Sequence, residues 1–166
     1  MCLLYFFKED KKMESNTVYI HYGDDTFRKP NLITNRTMGS KNRVWFTKPN
    51  GGLWASRVGD PQGWKDWCET EEFRLDALGS YFLFTLKPEA RVLELSYEDQ
   101  LENLPKLKPY DKNDMWSECI LDFEKLAMDY DAVEVTNIGR LYYPLYGWDC
   151  NSILVMNPDI VIVNTH

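Results

Sequence analysis

Short runs of β-forming residues, each closed by a turn signal, recur along this chain without the regular strand-helix-strand rhythm of a doubly wound parallel sheet. Residues 18–21, 44–46, 53–55, 81–86, 91–95, 132–135, 153–156 and 160–163 read as strands, rich in Val, Ile, Leu and aromatic side chains. Gly23-Asp24-Asp25, Pro49-Asn50-Gly51-Gly52, Lys87-Pro88 and Asn157-Pro158-Asp159 interrupt them. Asp60-Pro61 reads as the N-cap and first residue of a helix that sets Trp64, Trp67 and Glu71 on one face. Ser96, followed by Glu98 and Asp99, caps a short helix ending near Pro105. Residues 114–129 read as a longer helix with Ile120, Phe123, Leu126 and Ala127 as its apolar stripe, and residues 28–42 as polar loop. The expected class is α+β.

The 166 residues suit one domain with a real core. Residues 13–166 are expected to form it. Residues 1–12 read as an extension, because Met13 directly precedes the first strand; their apolar run Cys2-Leu3-Leu4-Tyr5-Phe6-Phe7 is too short to span a membrane and lacks the marks of a secretory signal. A formal charge of −7 disfavours a surface built to grip the phosphates of duplex nucleic acid. Lys41, Arg43, Lys48 and Arg57 flank the Gly-Gly turn and are a local basic patch for an anionic ligand or simply a solvated face. Cys2, Cys68, Cys119 and Cys150 show no CxxC pair, and with His21 and His166 as the two imidazoles no metal is expected.

Glu134 asks for an explanation. It interrupts the apolar strand Ala132-Val133-Glu134-Val135, and a carboxylate buried there needs a partner, a proton or a solvent-facing side. His21 ends the first strand and, taken alone, suits a partly buried histidine bonded to a carbonyl. Trp54 suits a core position, and Trp64 and Trp67 suit the packed face of an amphipathic helix. The segment from Leu141 to Asp149 is dense in aromatic residues and serves equally as a recognition loop or as a plug on the sheet.

The order of these residues resembles the ADP-ribosyltransferase fold of the diphtheria-toxin and PARP type, with its His-Tyr-Glu signature. The resemblance spans most of residues 18–163 through short motifs: His21-Tyr22-Gly23, Gly52-Leu53-Trp54-Ala55-Ser56, Trp64 or Trp67, and Glu134. Tyr22 separates His21 from Gly23 where the family places glycine directly after histidine, and Trp54 stands where it places tyrosine. Ala132 removes the paired acid of the arginine-modifying branch, which disfavours arginine as acceptor.

The resemblance implies a split β-sheet core with flanking helices and NAD as co-substrate. It implies that His21 anchors the adenosine ribose, Trp54 and Trp64 or Trp67 hold the nicotinamide, and Glu134 is the catalytic carboxylate. Such a glutamate stabilises the oxocarbenium-like state in which the nicotinamide-ribose bond breaks, while aromatic faces hold the cationic ring. Backbone amides near Gly51 and Gly52, or Arg57, stand ready for the diphosphate. The implied activity is mono-ADP-ribosyl transfer from NAD to a macromolecular acceptor, protein rather than nucleic acid, by a cytoplasmic monomer with no membrane partner. Toxin, effector, defence enzyme and phage counter-defence protein all suit such a chain. The alternatives are NAD glycohydrolase, with water as acceptor, and a non-catalytic binding or inhibitory protein on the same fold.

Overall fold

The computed structural model describes residues 17–39, 44–109, 111, 113–114 and 118–165. Residues 1–12, with the expected extension, and Cys2, Lys41, Arg43 and His166 lie outside them. The fold is mixed α+β. Its centre is a seven-stranded mixed sheet in the order β11-β5-β1-β4-β10-β9-β6. The strands are β1 (Tyr19–Tyr22), β4 (Leu53–Arg57), β5 (Tyr81–Leu86), β6 (Val92–Leu95), β9 (Ala132–Val135), β10 (Ser152–Val155) and β11 (Val161–Val163). Every pairing is antiparallel except β6 with β9. Two small ribbons accompany it, β2 (Thr37–Met38) with β3 (Val44–Trp45), and β7 (Lys106–Lys108) with β8 (Ile120–Leu121). The helices are α1 (Trp64–Thr70), α2 (Phe123–Asp129) and α3 (Ile138–Leu141). No helix among the described residues is long and apolar enough to cross a membrane.

Strand alternation divides the core between the two faces of the sheet. Tyr19, Leu53, Ala55, Phe82, Phe84, Ala132, Ile153 and Val155 pack on one side. Val133, Val135, Leu95 and Leu154 pack on the other with α2, α3 and the following loop, around the fully buried Trp148. The aromatic-rich segment divides accordingly. Leu141, Leu145 and Trp148 are the plug, while Tyr142, Tyr143 and Tyr146 remain exposed.

Four expectations need correction. The short helix expected to be capped by Ser96 is a single 3-10 turn over Glu98–Leu101 with Tyr97 as its N-cap, while Ser96 Oγ lies 2.6 Å from Thr136 Oγ1. Of the described residues in the predicted helix over 114–129, those of α2 are helical, because Ile120 and Leu121 pair with β7 and the Asp122 side chain accepts from Lys125 N as an N-cap. The helix expected from Asp60-Pro61 starts later. Asp60 closes a turn by accepting from Gln62 N at 2.9 Å, Gly63 is the N-cap, and Trp64 N donates to Ser56 Oγ at 2.9 Å. The loop expected over 28–42 contains β2.

Buried carboxylates tie the elements together. Asp131 accepts from Arg91 N at 2.9 Å, Arg91 Nε at 3.2 Å and Asn157 Nδ2 at 2.9 Å, joining the starts of β6 and β9 to the exit of β10. Asp122 accepts from Asn35 Nδ2 at 2.8 Å, and Asn35 Oδ1 accepts from Phe123 N. Burial alone would push both carboxyls up, yet these hydrogen bonds and the nearby Arg91 and Lys125 charges hold them below the usual carboxylate range. A carboxyl depressed in the fold stays ionised while its unfolded counterpart takes up a proton. Its stabilisation is therefore complete above the unfolded value of about 4 and is lost as the pH falls through the folded value. Urea melts should give a flat midpoint between about pH 7 and 5 and a fall below about pH 4, and Asp131→Asn should flatten that acid limb. An unchanged limb in this variant would remove Asp131 as its source.

Candidate functional site

β4 has different neighbours along its length. Arg57 and Ser56 pair with Tyr19 and Ile20 of β1, whereas Leu53, Trp54 and Ala55 pair with Val155, Leu154 and Ile153 of β10. Beyond Ile20 the backbone of β1 parts from β4, and the His21 ring spans the gap with Nδ1 2.7 Å from Trp54 O. A carbonyl only accepts, so Nδ1 carries the proton and Nε2, 3.9 Å from Asp24 Oδ2, is left as the second nitrogen.

The turn that delivers β4 is glycine for a reason. Gly51 and Gly52 have φ of 77° and 72°, and a Cβ on Gly52 would meet Leu154 Cδ1 at 2.6 Å. Side-chain-bearing residues resist that backbone region. Gly52 and Leu53 thus shape the strand entry without lining the cavity described next.

A cavity of about 260 Å³ lies at this junction, on the face of the sheet that carries Trp54 and Ser56. Of the residues expected at a ligand site, His21, Tyr22, Trp54, Ala55, Ser56 and Trp64 line it. Gly23, Trp67 and Glu134 do not, although Trp67 stacks on Trp64 with centroids 5.2 Å apart and fixes that ring. Ser56 is a buried junction. Its hydroxyl donates to Asn151 O at 3.0 Å and accepts from Trp64 N, locking the start of α1 against β4 and β10. Asn151 in turn accepts from Ile138 N at 2.8 Å and donates to Asp60.

Sequence reasoning named Lys48 only as part of a basic patch and Asp149 only as the end of the aromatic-rich segment, and it missed Arg74, Cys150 and Ser152 as site residues; Ile20 and Ala77 complete the lining. Lys48 Nζ lies 5.5 Å from the Trp54 ring centroid and 3.2 Å from Asp149 Oδ2. Burial pushes the Cys150 thiol up to about 12, which keeps it protonated and poorly nucleophilic near neutrality. Asp149 ends the segment already suspected as a recognition loop, and Cys150 follows directly after it. Arg74 carries no comparable sequence signal. Among the described residues no three His, Cys, Asp or Glu side chains gather as metal ligands.

Glu134 stands elsewhere. Trp54, Leu154 and Val133 are cross-strand partners on the cavity face, whereas Ala55, Ile153 and Glu134 are partners on the reverse face. His21 shares the Glu134 side by alternation and reaches the cavity through the gap beside β4. The Glu134 carboxylate is 2% exposed and fully engaged. It accepts from Arg57 Nε at 2.7 Å, Arg57 Nη2 at 2.9 Å and Tyr19 Oη at 3.2 Å. The hydrogen bond to Glu134 pushes the Arg57 guanidinium upward, and burial, followed by the Glu134 charge, pushes the Tyr19 phenol upward. Arg57 is therefore committed to this ion pair and does not line the cavity where a diphosphate was expected to meet it.

Comparison of the chain with protein-family models, with curated proteins and with solved structures finds no match.

Proposed function

We propose that this chain is a binding module whose cavity takes NAD or a closely similar ligand combining an aromatic ring with an anionic group. The carrying observation is the convergence of His21, Trp54 and Trp64, distant in sequence, on one cavity that also holds Lys48 and Arg74. Indole faces bind planar and cationic rings, and side-chain cations meet anionic groups. The ADP-ribosyltransferase-like split sheet belongs to the same proposal. Its support is the strand β4, which pairs with β1 over one half and with β10 over the other.

Mono-ADP-ribosyl transfer to a macromolecular acceptor is the second reading, favoured by the meeting of the histidine and two aromatics that motivated it. It requires a carboxylate at the ribose. Glu134 has both oxygens occupied on the reverse face, so that role needs Arg57 to release it, while Asp149 is the carboxylate in the cavity lining. Cytoplasmic action belongs with this reading, and NAD glycohydrolase differs from it only in using water as acceptor.

Calorimetry with NAD is the direct test. Trp54→Leu should weaken binding by about tenfold, since a stacked aromatic contributes about 1–3 kcal/mol to holding a base-like ring. Undetectable NAD binding by the folded wild-type chain would end the proposal. Nicotinamide release measured on the same samples separates the readings. Binding without release supports the module, and release abolished by Glu134→Gln or Asp149→Asn, in protein that remains folded, supports transfer or hydrolysis.

A further inference from the structure

We propose that Arg74 is the residue by which the cavity selects a ligand bearing a phosphate group. This rests on the reading of the cavity as a ligand site, but not on NAD being the ligand. The first observation is charge. Of the acidic and basic side chains lining the cavity, Asp149 is neutralised by Lys48 at 3.2 Å, whereas Arg74 has no ion pair or hydrogen-bonding side-chain partner among the described residues. Arg74 is an exposed arginine without a carboxylate partner among the described residues, and its guanidinium stands beside two indole rings at the cavity, where it suits an anionic group.

The second observation is backbone strain. Glu72 and Arg74 have φ of 52° and 44°, the left-handed region that residues with a Cβ resist. Among the described residues no side-chain hydrogen bond or ion pair of Glu72 or Arg74 offsets that conformation. It is imposed by the surroundings. Phe73, between them, packs edge-on against Trp64 and Trp67 with centroids 6.1 and 5.5 Å away, and its N–H donates to Cys68 O at 2.9 Å. Ala77 N donates to Arg74 O at 3.0 Å. The aromatic group that fixes the Trp64 wall thus also fixes the turn presenting Arg74. Glycine would serve such a turn better if stability were the sole requirement. Of the two strained residues, Arg74 is the one that lines the cavity.

The guanidinium suits a phosphate through paired N–H donors, and the indoles suit the ring attached to it. The test uses full-length protein and three probes: NAD, ADP and nicotinamide riboside, which lacks the diphosphate. Arg74→Gln should weaken binding of NAD or ADP at least about tenfold, the effect of losing one charge-assisted hydrogen-bond pair. Riboside binding should change by less than about twofold on the same grounds, and a riboside that fails to bind wild type equally supports a phosphate requirement. The salt dependence of phosphate-ligand binding should become shallower. Arg74→Lys should recover only part of the loss, and Arg74→Gly should lose affinity while holding or raising the thermal midpoint. A residue with a merely structural role would lower both.

Equal weakening of phosphate and phosphate-free probes, no weakening, or no binding of either phosphate ligand by wild type overturns the inference. Binding of ADP without NAD, dependent on Arg74, would sustain it while removing the NAD reading.

Discussion

Replacing Glu134 with alanine is expected to destabilise the fold by about 3 kcal/mol, because breaking a buried ion pair strands the surviving charge. The fully buried case reaches about 5 kcal/mol, but the Arg57 side chain is 39% exposed, and water screens part of the loss. Tyr19, wholly buried, loses its acceptor at the same time. Glutamine preserves an acceptor for both partners and should cost about 1–2 kcal/mol. The triple replacement Tyr19→Phe, Arg57→Met, Glu134→Leu should recover most of the alanine loss, since an apolar set of similar volume needs no desolvation of charge. Urea melts of the three variants decide it. An alanine variant within about 0.5 kcal/mol of wild type would mean that the pair contributes nothing measurable. The same result bears on chemistry, for a glutamate that holds the core is costly to release for catalysis.

Trp148→Ala should be at least as damaging, about 3–5 kcal/mol by the behaviour of large aromatic truncations in cores. Trp148 is fully buried, meets Trp54 edge-on at 4.8 Å, stacks over Phe123 at 6.2 Å and donates from Nε1 to Thr47 O at 3.4 Å. Its removal opens a void between α2 and β4, and stability falls with the volume left unfilled. For a chain of this length each kcal/mol corresponds to about 2–4 °C, so the thermal midpoint should drop by about 6–20 °C. Trp148→Phe keeps the stacking and should cost less than half as much. Because Trp148 supports the back of Trp54, both variants should also weaken any ligand that rests on the front. A midpoint drop under about 3 °C in the alanine variant would show that the core closes over the gap.

Local signals carried much of the fold. The runs at 81–86 and 132–135 coincide with β5 and β9, because alternation and turn residues on both sides leave little choice of boundary. The helix over 114–129 was misread for a physical reason. Ile120, Phe123, Leu126 and Ala127 suit a helical stripe, but pairing with β7 claims Ile120 and Leu121, and a short polar side chain at Asp122 resets the start. Asp122 is of a residue type that caps helices, but the apolar stripe ran past it, and the strand partner leaves no local signal.

At the site, His21, Trp54 and Trp64 line one cavity, whereas Trp67 does not. The face occupied by Glu134 was beyond local reading. Alternation says that Val133 and Val135 oppose Glu134, but which side holds the cavity depends on register across β10 to β4. Arg74 was hidden for another reason, since a left-handed arginine imposed by packing around Phe73 has no compositional mark.

The five residues of β4 hold two inheritances at once. Leu53 and Arg57 answer to the interior with Glu134, Trp54 and Ser56 answer to the cavity, and Ala55 packs in the core while also bordering the cavity. On the proposed reading of the cavity, point substitutions at Trp54, Trp64 or Arg74 would change ligand preference while the Glu134 side stays constant. A single inserted codon within the strand has the opposite effect, since it turns every following side chain to the other face. The gene can therefore drift by exchange at this strand, but not by a change of length.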